Sequence, residues 1–117
     1  MLFKLKKIEQ YLDNRAGSLS VFDELLDDYL NGRLKSYFSE LGVSKVNIFI
    51  DWQTNYKCIE LQGCYKKNYV DLQIEENNFG IAVDPDEPDI TNSFDLVSKE
   101  YVWELLNKIL RKLSAIS

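Results

Sequence analysis

The sequence predicts an α+β fold in a single domain, residues 1–117: N-terminal helices, a four-stranded antiparallel meander and a C-terminal amphipathic helix packed on the sheet. Three observations lead there. Apolar residues recur at steps of three and four up to Gly42, alternate singly from Val46 to Val83, and return to helical spacing after Ser98. The alternating runs are joined by loops of a few residues, which suit antiparallel neighbours and are too short for crossovers. No repeat, linker or low-complexity tract divides the chain, whose length suits one core and is too short for two.

Leu5, Ile8 and Leu12 place a short amphipathic helix in residues 2–12, followed by a turn at Asp13-Asn14-Arg15-Ala16-Gly17-Ser18. Ser20 and Asp23 read as a capping box, with Asp in place of Glu, ahead of the stripe Val21, Phe22, Leu25, Leu26, Tyr29 and Leu30. Asn31-Gly32 interrupts that stripe, and Leu34, Tyr37, Phe38 and Leu41 resume it until Gly42. Residues 20–41 are therefore either one kinked helix or two.

Beyond Gly42, Val46, Ile48, Ile50 and Trp52 point one way while Asn47, Phe49 and Asp51 point the other. Past a turn at Gln53-Thr54-Asn55, Lys57, Ile59, Leu61 and Gly63 alternate with Cys58, Glu60 and Gln62. A third strand sets Val70, Leu72 and Ile74 inward against Asp71, Gln73 and Glu75, and Glu76-Asn77-Asn78 turns the chain into Phe79, Ile81 and Val83. Pro85 and Pro88 end the sheet, since proline lacks an amide donor. In the closing helix Val102, Leu105, Leu106, Ile109, Leu110 and Leu113 form the core stripe, Ser98 the N-cap, Glu100 the first-turn acid and Lys108, Arg111 and Lys112 the last-turn bases.

Composition narrows the class of function. With 45% hydrophobic and 13% aromatic residues the chain can bury a core. Its 14 basic residues against 19 acids give a net charge of -5, which opposes binding to a nucleic-acid backbone. Lys4, Lys6 and Lys7 break up the N-terminal apolar residues before a signal-peptide core can form, and no run approaches the ~18 apolar residues of a membrane span. The expectation is a cytoplasmic protein without membrane contact, monomeric when free. Cys58 and Cys64 are too few for a disulfide framework and are expected to be reduced packing residues.

The absence of histidine removes Ser-His and Cys-His nucleophiles and the common zinc sites. The two cysteines are six apart, outside zinc-knuckle spacing. Asp84, Asp86 and Asp95 occupy the first, third and twelfth places of a calcium-type loop, but Pro88 stands at the fifth and Asp89 replaces the glycine at the sixth. The five glycines are scattered and make no phosphate loop. No catalytic residue, metal or cofactor is expected, and the chain is not read as an enzyme.

Charge points elsewhere. Asn68 to Ser98 contains eight Asp and Glu and no Lys or Arg. Such a field steers association and selects cationic partners. The candidate partner-binding residues are Asp84, Asp86, Glu87 and Asp89 in the proline-containing loop, with Asp71, Glu75 and Glu76, and with Tyr69 and Trp103 as aromatic anchors. A second cluster, Asp23, Glu24, Asp27 and Asp28, shares one face of the second helix by spacing.

A small, acidic, histidine-free α+β chain with the acidic run Asp84-Pro85-Asp86-Glu87-Pro88-Asp89 after a strand and an amphipathic closing helix from Val97 to Leu113 resembles the immunity proteins encoded beside polymorphic and contact-dependent bacterial toxins. The resemblance is one of type over the whole length and implies an inhibitor that binds a cognate toxin domain, often a basic nuclease, and blocks its active site or substrate surface. Two alternatives are an acidic secretion chaperone, which would be a dimer with exposed apolar grooves, and a small enzyme using carboxylates and a divalent metal.

Exchanging Asp84, Asp86, Glu87 and Asp89 for their amides is expected to slow association with the cognate partner and flatten its salt dependence without unfolding the protein. Stopped-flow association across a salt series checks this, and an unchanged rate and slope would reduce the loop to solvated surface.

Overall fold

The computed structural model describes residues 2–15, 17–84 and 93–116. Among these the chain forms helices α1 (Leu2–Asn14), α2 (Val21–Leu30) and α3 (Arg33–Glu40), strands β1 (Ser44–Trp52), β2 (Lys57–Tyr65), β3 (Asn68–Glu75), β4 (Asn78–Asp84) and β5 (Phe94–Asp95), and helix α4 (Lys99–Ile116). The strands pair antiparallel in the order β1-β2-β3-β4-β5, so the α+β meander stands. The strand count is corrected from four to five. The added strand pairs Phe94 with Phe79 and Asp95 with Asn78. Two residues are too few for an alternating pattern to be legible in sequence.

The open question over residues 20–41 resolves into two helices. Gly32 adopts φ 73°, a left-handed conformation that glycine enters without steric cost, and it separates α2 from α3. The Ser20–Asp23 capping box forms as expected: the Asp23 amide donates to Ser20 Oγ at 3.2 Å and the Ser20 amide to Asp23 Oδ2 at 3.1 Å. At the other end, the Val43 amide donates to the Phe38 carbonyl and the Gly42 amide to the Ser39 carbonyl, a Schellman closure with Gly42 at φ 93°. This delivers the chain directly into β1.

Strand register sorts the sheet into two faces. On the inner face Ile48, Leu61, Leu72 and Ile81 form one cross-strand row and Ile50, Ile59, Ile74 and Phe79 the next. All of these except Ile48 are buried. They share one cluster with Ile8 of α1, Phe22, Leu25 and Leu26 of α2, Leu34 and Phe38 of α3, and Val102, Leu106 and Leu110 of α4. The described helices thus pack on the inner face. Lys45, at φ 54°, sits in a bulge that shifts the β1–β2 register between Ser44 and Asn47. There Gly63 lies against Val43 and the Ser44 carbonyl, where a Cβ would collide.

Helix α4 departs from expectation in two details. Leu105 and Ile109 pack against the core but are only half-buried, and the fully buried stripe is the narrower set Val102, Leu106 and Leu110. The helix also runs on to Ile116, so Lys108, Arg111 and Lys112 do not lie in its last turn. Ser98 does cap it, its Oγ accepting from the Tyr101 amide at 3.1 Å. Among the described residues no helix is long and apolar enough to cross a membrane.

Leu106 is fully buried in the shared core, so Leu106→Ala is expected to cost about 2–5 kcal/mol of unfolding free energy. Leu105→Ala should cost clearly less. Equal denaturation midpoints for the two variants would overturn this packing.

Candidate functional site: the open face of the sheet

The outward-pointing residues are Asn47, Phe49 and Asp51 on β1, Cys58, Glu60, Gln62 and Cys64 on β2, Tyr69, Asp71, Gln73 and Glu75 on β3, and Gly80 and Ala82 on β4, as the strand register requires. None of them is Lys or Arg. Four are carboxylic acids: Asp51, Glu60, Asp71 and Glu75. Phe49 is 52% exposed and Tyr69 49% exposed, large rings on a face that period-two patterning reserves for polar residues.

Across the middle of this face Phe49, Glu60, Gln73 and Gly80 form one row, and Asn47, Gln62, Asp71 and Ala82 the next. Glu60 Oε2 accepts from Gln73 Nε2 at 2.9 Å and Gln62 Nε2 at 3.3 Å. At the near end Tyr56 donates its hydroxyl to Glu75 Oε1 at 3.0 Å. Between them lies a cavity of about 260 Å³ bounded by Phe49, Asp51, Tyr56, Cys58, Glu60 and Gln73.

The electrostatics of the face are one-signed. Asp71 is only 7% exposed, and its Oδ1 has no hydrogen-bond partner among the described residues. Burial, then the hydrogen bond and repulsion from Glu60, push its carboxyl up to about 7, against a smaller opposing effect of Gln62. The Cys58 thiol is likewise pushed up by burial and by the charges of Glu75, Glu60 and Asp51, although its hydrogen bond with Tyr56 opposes this. Tyr56 is raised by burial, by Cys58 and by Glu75. A thiol held in its neutral form is a poor nucleophile. Among the described residues no group of three His, Cys, Asp or Glu side chains is placed to hold a metal ion.

The residues singled out from sequence fall in several places. Tyr69, Asp71 and Glu75 are brought together on the open face, and the backbone of Asp84 pairs with that of Tyr69 in the register. Asp71 is corrected from an exposed charge to a buried carboxyl held by its neighbour Glu60. Glu76 lies beyond the end of β3 and reaches Lys57 at 3.9 Å, and Lys57 in turn lies over the rings of Tyr11 and Trp52. Trp103 is half-buried among the helices, 5.4 Å from the Tyr37 ring and 6.4 Å from Phe38, away from the open face. Asp86, Glu87 and Asp89 lie outside the described residues.

The acidic face of α2 is also corrected. Asp23 is 0% and Asp28 1% exposed, while Glu24 and Asp27 are exposed. Arg15 Nε reaches Asp23 at 2.6 Å, and Lys99 Nζ and Arg33 Nη1 reach Asp28 at 3.1 and 3.5 Å. At about 100° per residue these two acids flank the exposed pair and fall at the margins of the apolar stripe. Burial would raise Asp23, yet hydrogen bonds from Ser20, Arg15 and Tyr11 hold it below the usual carboxylate range.

Phe49, Glu60 and Tyr56 were not singled out. Phe49 had a legible signal, a large ring at an outward position of an alternating strand, whereas the convergence of Glu60 with Asp71 and Gln73 depends on strand register.

Because Asp71 binds its proton more tightly folded than unfolded, the folded state holds the extra proton between about pH 4 and 7, and stability falls as pH rises through that window. Asp71→Asn, facing Glu60 and Gln62 on β2 and Ala82 on β4, should flatten this slope and raise stability at pH 8 by about 1–3 kcal/mol. Urea midpoints of both proteins from pH 5 to 8 check this, and parallel curves would contradict it. No family model matches the chain, and neither a curated protein nor a solved structure matches it, so the open face is interpreted from its own geometry.

Proposed function

We propose that this chain is a non-catalytic protein-binding module, an immunity protein that captures and neutralises a basic toxin domain in the cytoplasm. The observation that carries the proposal is the helix-free sheet face with carboxylic acids on β1, β2 and β3, two half-exposed rings and, among its described residues, no basic one. One-signed charge accelerates encounter with a partner of opposite sign, and exposed aromatic rings supply the short-range contact area. The register pairs the backbone of Asp84, the residue before the acidic run of the sequence, with that of Tyr69. The raised acids of the face fit electrostatic recognition better than nucleophilic chemistry.

Co-expression with the variable C-terminal domain of a large secreted protein encoded immediately upstream tests the proposal. The expected outcome is relief of growth arrest and a one-to-one complex whose association slows when Glu60 and Glu75 are both replaced by Gln. Absence of a complex sinks the proposal. So does turnover by the pure protein in a hydrolase and nuclease screen, abolished by a single carboxylate-to-amide change.

A further inference from the structure

We propose that the cavity on the open face is a socket for one arginine side chain of the partner, bounded by Phe49 and Tyr56 and by the carboxylates of Glu60 and Asp51. The socket presupposes the partner-binding role proposed above and specifies the chemistry of its anchor.

Size selects a side chain over a metabolite. The cavity is about 260 Å³, below the roughly 300–1,000 Å³ typical of small-molecule sites. Charge selects a cation. Asp51 and Glu60 border the cavity, Glu75 adjoins it through Tyr56, and none of these three has a Lys or Arg within ion-pair distance among the described residues. Shape and surface select arginine over lysine. A planar guanidinium stacks on aromatic rings and forks onto a carboxylate, and it is more weakly hydrated than an ammonium. Phe49 offers a ring that is 52% exposed, directly opposite Glu60 in the register.

Asp71 is buried beside Glu60 but does not border the cavity, so the carboxylates offered to a ligand there are those of Glu60 and Asp51. Glu60 Oε2 already accepts from two glutamine amides. A guanidinium, with five donors in a planar fork, can add to that carboxylate while its face lies against the Phe49 ring.

The test uses Nα-acetyl-arginine methylamide as the probe, the lysine analogue as the control and amide NMR of the whole protein at low salt. The arginine probe should shift the amides of Phe49, Cys58, Glu60 and Gln73 saturably in the millimolar range, and the lysine analogue should bind more weakly. Phe49→Ala and Glu60→Gln should each weaken the arginine probe about tenfold, while Glu24→Gln, on exposed α2 surface, should leave it unchanged. Phe49 is half-exposed, so its variant keeps the test intact if Glu60→Gln fails to fold. Non-saturating shifts, equal response to both probes, or indifference to Phe49→Ala overturns the socket. A partner captured normally by Phe49→Ala and Glu60→Gln also overturns it while leaving the immunity role standing. Probe binding without neutralisation of any upstream domain leaves the socket and removes that role.

Discussion

One-sided burial of the sheet is the constraint on which the rest depends. The inner rows centred on Leu61, Leu72, Ile59 and Ile74 are fully excluded from water. At about 1.5–3 kcal/mol for each large apolar side chain buried, they and the helix residues facing them supply the main driving force. Because every described helix contributes to that one core, the opposite face is left to satisfy its own polar groups. It does so with glutamines bracketing Glu60 and with the Tyr56–Glu75 bond.

The buried acids of α2 serve the same constraint. Asp23 ties α2 to the turn after α1 through Arg15, and Asp28 ties it to the start of α4 through Lys99. The acids are buried but Arg15 and Arg33 are largely open to water, so the pairs add little net stability, although removing a cation leaves a buried carboxylate uncompensated. Their effect is to fix where the helices sit. Asp23 does this while completing the cap of its own helix, so one carboxylate sets both the start of α2 and its attachment.

The open face gathers acids without cations, and the buried groups among them bind their protons more tightly. Asp71 and Cys58 both respond in that direction. Arrays of this kind are costly to an isolated protein and are relieved by a bound cation.

The sequence by itself determined the α+β class, the antiparallel meander, the capping box at Ser20 and the buried stripe through Val102, Leu106 and Leu110, because each is written in local period or in short-range hydrogen bonding. It also carried the alternation that places Phe49 outward. Tertiary structure alone decided which acids stay exposed and which become internal ties. Asp23 and Asp28 share a helix face with Glu24 and Asp27, and only the distant Arg15 and Lys99 distinguish them. Asp71 lies on the polar side of its strand like Glu75, yet it is buried beside Glu60, 11 residues away in sequence and brought near by β2–β3 register. The fifth strand was hidden for the same reason: pairing between distant residues leaves no periodic trace in a segment as short as Phe94–Asp95.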